Sequence, residues 1–153
     1  MSYAQLSMLL TTRKLTSPEL KALGTTPITL LDAPTDGSSI VVIAAWTKTS
    51  AGTVPYQSGD PNTGIGGNVL RYAGTGAGAD PNLLPIANDS TMLQFTAAYF
   101  TPSIIGYEGG AVCANPVNTA VEIAYTGEPA NMMDGDAEQT WIVMFTYLPP
   151  GTF

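Results

Sequence analysis

Histidine is absent from the 153 residues, and cysteine occurs once, at Cys113. These absences exclude an imidazole base, a histidine-held metal, an intrachain disulfide and a Cys-x-x-Cys pair. The lone thiol suits a reducing cytoplasm and reads as a small side chain, buried or half-buried. Charge is scarce too: Asp, Glu, Lys and Arg make up 11% of the chain, about half the usual share. Arg13, Lys14, Lys21, Lys48 and Arg71 are the only basic residues, against twelve acidic ones, for a formal charge of −7. From residue 72 onward eight carboxylates stand without a single Lys or Arg. Phosphate would be repelled there, and the missing basic stripe argues against a nucleic-acid partner. The longest apolar run, residues 40–46, is seven residues, too short to cross a bilayer as a helix. Residues 1–10 have no basic segment ahead of their apolar side chains, and the Arg13-Lys14 pair follows them, the reverse of a secretory signal. The expectation is a chain with no membrane partner.

What is present is apolar and rich in turn formers: 44% hydrophobic residues, 16 Gly and 12 Pro. That composition is globular, with the Gly and Pro placed in turns and long loops. Residues 3–12 alternate, with Ala4, Leu6, Met8 and Leu10 on one side, which predicts an extended N-terminal arm over residues 1–16. A short helix follows over 17–24: Ser17 serves as cap, Pro18 takes the first helical position and Gly24 supplies a left-handed stop. Nothing else has a sustained helical period. Strands are predicted at 28–31, 40–46, 69–72, 83–86, 92–100, 104–107, 117–125 and 141–148, and a turn-forming run at 32–37 separates the first two. The last strand is apolar on both faces, Trp141, Val143, Phe145 and Tyr147 against Ile142, Met144 and Leu148. It is either central in a sheet or covered by another chain. This pattern predicts an all-β chain, a β-sandwich of jelly-roll type forming a single domain over residues 17–153. Long loops at 50–68, 73–82, 106–116 and 127–139 need a binding role or a partner to fix them.

The constellations that could carry chemistry are few. Gly64-Ile65-Gly66-Gly67 and Gly74-Thr75-Gly76-Ala77-Gly78 open no helix and precede no Lys, so they read as turns and not as phosphate cradles. Asp134, Asp136 and Glu138 gather three carboxylates in one loop. They read as a solvated acidic loop, with a Ca²⁺ site as the alternative. Glu122 is the one acid within a predicted strand and the one candidate for glycoside hydrolysis, yet it falls on the polar face. Serine nucleophiles have no His base. The chain therefore reads as non-enzymatic, without cofactor or metal. Tyr56 and Tyr107 stand near loops, where an aromatic ring can stack on a sugar or fill a partner's pocket.

Residues 17–34, Ser-Pro-Glu-Leu-Lys-Ala-Leu-Gly-Thr-Thr-Pro-Ile-Thr-Leu-Leu-Asp-Ala-Pro, then Gly37 and Ile40-Val41-Val42-Ile43, resemble the opening of small β-rich virion proteins of tailed bacteriophages. Tyr56 and Leu70-Arg71-Tyr72 match the Tyr-bearing loop and Leu-Arg-Tyr strand that follow in such proteins, so the likeness covers about residues 17–72. It implies a structural part of the particle, first a head decoration or cement protein, made in the bacterial cytoplasm and carried on the virion. The implied partners are the major capsid protein and further copies of the chain, as a homotrimer. A head or tail fibre, or a receptor- or glycan-binding module, is the other reading. The residues themselves point the same way: an alternating arm and a doubly apolar last strand suit a surface covered by neighbours. The candidate assembly residues are Ala4, Leu6, Met8, Leu10, Ile142, Met144 and Leu148.

Overall fold

A computed structural model of the chain describes residues 7–57, 68–74, 82–85, 99–104, 117–125 and 133–151, with the backbone alone at 82–85 and 99–104. Its elements are β1 (Leu9–Leu15), α1 (Ser17–Ala22), β2 (Ile28–Leu31), β3 (Ser39–Thr49), β4 (Tyr56–Gln57), β5 (Asn68–Tyr72), β6 (Asn82–Pro85), β7 (Tyr99–Ile104), β8 (Val121–Tyr125), β9 (Met133–Asp134) and β10 (Gln139–Leu148). Every strand pair among the described residues is antiparallel, and the chain is all-β apart from the short α1. Two four-stranded sheets run β1-β10-β3-β7 and β2-β8-β5-β6, and β4 with β9 makes a two-stranded ribbon. With the ribbon set aside, the first strand pairs with the last, the second with the last but one, β3 with β7, and β5 with β6. The chain thus runs as one long hairpin folded back along its own length. The pairs β10–β3 and β8–β5 then complete the two sheets.

Both sheets send side chains into one core. Along β10 the alternate residues Gln139, Trp141, Val143 and Phe145 are buried. Opposite them on β3 lie Thr49, Thr47, Ala45 and, past a bulge between Met144 and Phe145, Val42. From the second sheet Leu70, Tyr72, Val121, Ile123 and Tyr125 join the same cluster, and Leu20 and Leu23 add the apolar side of the α1 segment. Each fully buried aliphatic or aromatic side chain contributes roughly 1.5–3 kcal/mol, so this cluster is the main source of stability. Polar contacts tie the sheets together across it. Tyr72 donates its hydroxyl to the Ile40 carbonyl at 2.5 Å. Asn68 Nδ2 and Trp141 Nε1 both donate to Gln139 Oε1, at 2.9 and 2.8 Å. Gln139 is fully buried, and its amide is the one acceptor that both donors share.

Several sequence expectations need correction. Residues 9–15 are not a separate arm. They form an edge strand of the chain's own sheet, in register from Leu9 opposite Phe145 to Leu15 opposite Gln139, and Leu15 is buried in the core. A boundary at residue 16 would cut the domain, and residues 1–6 lie outside the described residues. The last strand is central, between β1 and β3. The helix is capped by Thr16 and not by Ser17: Glu19 accepts from both the Thr16 N–H and its hydroxyl, at 2.8 and 2.9 Å. Gly24 is not its left-handed stop, because positive φ among the described glycines falls at Gly37, Gly74, Gly135 and Gly151. The strand expected over 117–125 begins only at Val121. Asn118 turns the chain with φ +51° and accepts the Gly37 N–H at 2.8 Å. Of the strands expected at 92–100 and 104–107, residues 99–104 form β7, and 92–98 and 105–107 lie outside the described residues.

Two predictions follow from the core. Gln139→Leu keeps the volume but leaves the Trp141 and Asn68 donors buried and unpaired, which should lower unfolding stability by roughly 2–4 kcal/mol. Urea titration followed by tryptophan fluorescence measures it, and an unchanged midpoint would show the amide to be dispensable. Deleting residues 2–15 removes the partner of the last strand together with Leu15. The truncated chain should aggregate or melt without cooperativity, as followed by circular dichroism.

Candidate assembly surface

The core side of the first sheet fixes, by alternation, what its other side shows. Outward positions on neighbouring strands fall in rows: Lys14, Thr140 and Lys48; then Thr12, Ile142 and Trp46; then Leu10, Met144 and Ala44. Met8 lies just before β1, and Leu148 ends β10 opposite Ser39. Met8 and Leu10 are each 68% exposed, while Ile142, Met144, Trp46 and Leu148 are half-buried by their neighbours in the sheet. Leu10 stands directly opposite Met144, so the two ends of the chain meet on this face. Of the seven candidate assembly residues, the fold places Met8, Leu10, Ile142, Met144 and Leu148 on one sheet; Ala4 and Leu6 lie outside the described residues. Trp46 and Ala44 were missed as members. They belong to a run read only as a core strand, and their outward direction follows from the register with β10.

The edge beside this face is guarded. Arg13, on the core-facing side of β1 by alternation with Leu15, bonds Glu19 of α1 at 2.7 Å, and Lys14 pairs with Glu138 at 2.5 Å. Two charged residues on an edge strand disfavour pairing with another chain. Among the described residues the β1 edge is thus charged, while the outward face of the same sheet is apolar.

The other candidate groups are structural fasteners. Asp136 accepts the N–H groups of Thr53 and Val54, at 2.7 and 2.9 Å, and the Thr53 hydroxyl. Those bonds, the Thr53 hydroxyl first and then the Val54 N–H, hold its carboxyl below the ordinary aspartate range. Beside it Ser50 and Glu138 exchange hydrogen bonds at 2.8 Å, and Ser17 Oγ donates to the Gly135 carbonyl at 2.8 Å. Tyr56 is buried and donates to the Ala137 carbonyl at 2.5 Å, and burial raises its pKa. Its ring lies so close to Gly135, at φ +75°, that any Cβ there would overlap it. The acidic loop thus pins the 50–57 segment, with the carboxylates of Asp136 and Glu138 already engaged. Among the described residues no three carboxylates gather to hold a metal. Tyr56 offers no face to a sugar, and Tyr107 lies outside the described residues. Glu122 stands opposite Arg71 on β5 and bonds it at 2.7 Å, both side chains mostly buried, so the one strand acid is held by a cross-strand ion pair.

Asp136 gives a pH prediction. A depressed carboxyl pKa stabilises the fold above the unfolded value and loses that contribution as pH falls through the folded one. Asp136→Asn should therefore melt below the wild type at neutral pH, and the gap should narrow below about pH 4. Calorimetric melts from pH 7 to about pH 2 test this; parallel curves would show that the charge of Asp136 does not matter.

Compared with known proteins, the chain matches no family model, no curated protein and no solved structure, so its role is argued from its own residues.

Proposed function

We propose that the chain is a non-enzymatic structural subunit of a bacteriophage virion, a head decoration or cement protein that binds and stabilises the shell as an oligomer, in the first instance a trimer. In this reading the two sheets form a β-sandwich of jelly-roll type. The strand order supports that topology: eight strands pair first with last and so inward, as a rolled-up long hairpin does. Jelly rolls recur in viral capsid proteins, which makes the proposal an analogy of fold and not of site.

The observation that carries the function is the outward face of the first sheet, where Leu10, Met144, Ile142 and Trp46 present contiguous apolar surface with no carboxylate at any outward position of β1, β10 or β3. A sheet face whose described strand positions carry no acid, with Glu138 at its rim held by Lys14, has a surface suited to burial against protein. The fibre or glycan-binding reading leaned on Tyr56, Tyr107 and the long loops; the Tyr56 ring is buried and its hydroxyl bonded to the backbone, and Tyr107 lies outside the described residues.

The test is co-sedimentation with shells assembled from the major capsid protein of the same genome. The full chain should pellet with assembled shells and remain in the supernatant with free capsid subunits. Met144→Asp, which puts a charge into the middle of the face, should weaken pelleting by about tenfold or more while leaving a cooperative melt. Failure of the wild type to pellet would overturn the proposal.

A further inference from the structure

We propose that Asp134 is a site of spontaneous backbone modification, where the chain isomerises to isoaspartate through a succinimide formed with Gly135; this stands apart from the assembly reading. Aspartate followed by glycine occurs twice in the sequence, at Asp36-Gly37 and Asp134-Gly135. In such a pair the backbone nitrogen of the glycine can attack the aspartate Cγ, because the glycine has no side chain to hinder the approach. The N–Cγ bond forms as a C–O bond of the protonated carboxyl breaks, and the hydroxyl leaves with the amide proton as water. Water then opens the five-membered ring. Addition at the Cγ carbonyl returns aspartate, whereas addition at the α-carbonyl leaves the main chain running through Cβ and Cγ. One water is lost and one regained, so no further reactant is needed.

The fold treats the two pairs differently. At Asp36 both reacting groups are committed: its Oδ1 accepts the Ser38 N–H at 3.0 Å, and the Gly37 N–H donates to Asn118 Oδ1 at 2.8 Å. The Ser38 bonds also lower the Asp36 pKa, which keeps that carboxyl in the ionised form, whose oxygen is the poorer leaving group. At Asp134 neither group is held. The residue is exposed, its side chain makes no hydrogen bond or ion pair among the described residues, and the Gly135 N–H has no acceptor among them. The backbone is strained there as well: Asp134, at φ +54°, is one of two non-glycine residues with positive φ among the described residues, and Gly135 follows at +75°. A methylene inserted into the main chain releases Asp134 from that conformation. The consequence falls on the fastening of one end of the fold. Gly135 packs so closely under the Tyr56 ring that a Cβ would overlap it, its carbonyl accepts Ser17 Oγ, and its neighbour Asp136 holds Thr53 and Val54. A main chain lengthened by one carbon at residue 134 moves Gly135 out of this register, so isomerised molecules should be less stable than fresh ones.

Ageing the full-length chain at mildly acid pH, below its melting transition, tests the proposal. Peptide mapping with electron-transfer dissociation tells isoaspartate from aspartate at each position. Isoaspartate should accumulate at residue 134 at least about tenfold faster than at residue 36, and the aged fraction should melt at a lower midpoint. In urea, where the fold no longer protects Asp36, the two rates should converge. Asn118→Ala, which frees the Gly37 N–H, should raise the rate at Asp36 in the folded chain. Asp134→Glu should suppress the modification at residue 134, because the ring it would form is six-membered and closes more slowly. Equal rates at the two sites in the folded chain would overturn the proposal, as would a folded chain that forms no isoaspartate at residue 134 over a time in which the urea-unfolded chain does.

Discussion

The buried amide of Gln139 is the junction on which the fold turns. Its residue stands opposite Leu15 on one side and Thr49 on the other, so β1, β10 and β3 are all in register at this point. Its Oε1 receives Trp141 from its own strand and Asn68 from the second sheet, and its Nε2 reaches Thr49 Oγ1 at 3.4 Å. Buried polar groups of this kind stabilise a fold only when paired, and they penalise any register that breaks the pairing. A slip of β10 by one residue would send the amide outward and Ile142 inward, stranding the Trp141 and Asn68 donors. The amide therefore selects one register for the central strand and one position of the second sheet against it. The selection is not free of cost: Asn68 Oδ1 is buried without a hydrogen-bond partner among the described residues.

From that junction the topology explains the division of labour among the remaining polar residues. Because the first strand pairs with the last, the sheets close only after contacts between distant parts of the sequence form, an arrangement that slows folding and leaves chain ends and connections in need of fastening. The fasteners are side chain to backbone bonds. Glu19 holds Thr16 ahead of the helix, Asp36 accepts the Ser38 N–H, Asn118 accepts the Gly37 N–H, and Asp136 holds Thr53 and Val54. Short acidic and amide side chains suit this work because they reach backbone donors a few atoms away. Three of the chain's acids, Glu19, Asp36 and Asp136, thus serve loop closure, and the loop that read in sequence as solvated, with Ca²⁺ as the alternative, is tied through Asp136 to Thr53 and Val54.

Local pattern was legible where one strand's alternation was enough and illegible where the partner was remote. Trp141 to Leu148, apolar on both sides, left two readings open, a central strand or one covered by another chain, and the sheet order makes it central. The alternation of Ala4, Leu6, Met8 and Leu10 marked an extended segment over residues 1–16, but its place in the chain's own sheet was illegible, because its partner strand lies at the other end of the sequence and nothing nearby shows that Glu19 and Glu138 neutralise Arg13 and Lys14. Val117 and Thr119 extended the period of β8 backwards. The φ of +51° at Asn118, set by a turn shared with Gly37, broke it. The ribbon of β4 and β9 pairs only Tyr56 and Gln57 with Asp134 and Met133, too short for any periodicity to register. Tyr56 looked like a loop aromatic for the same reason: its burial depends on Gly135, which is 79 residues away (135 − 56).

The candidate site was legible for a different reason, one of arithmetic. Two sheets that share one core need one apolar face each, and β10 carries two. The second apolar face must then meet either more of the same chain or another chain, and the edge and loops narrow the choice. Charged residues guard the β1 edge, and the described loops at one end are fastened by Asp136, Ser50 and Tyr56. The face carries the exposed Met8 and Leu10, beside a half-buried tryptophan and a lysine that makes no ion pair among the described residues. Trp, with a large apolar area and little rotamer entropy to lose, is the side chain that most often anchors protein interfaces, and a charge at the border of an apolar patch fixes orientation more than it adds affinity.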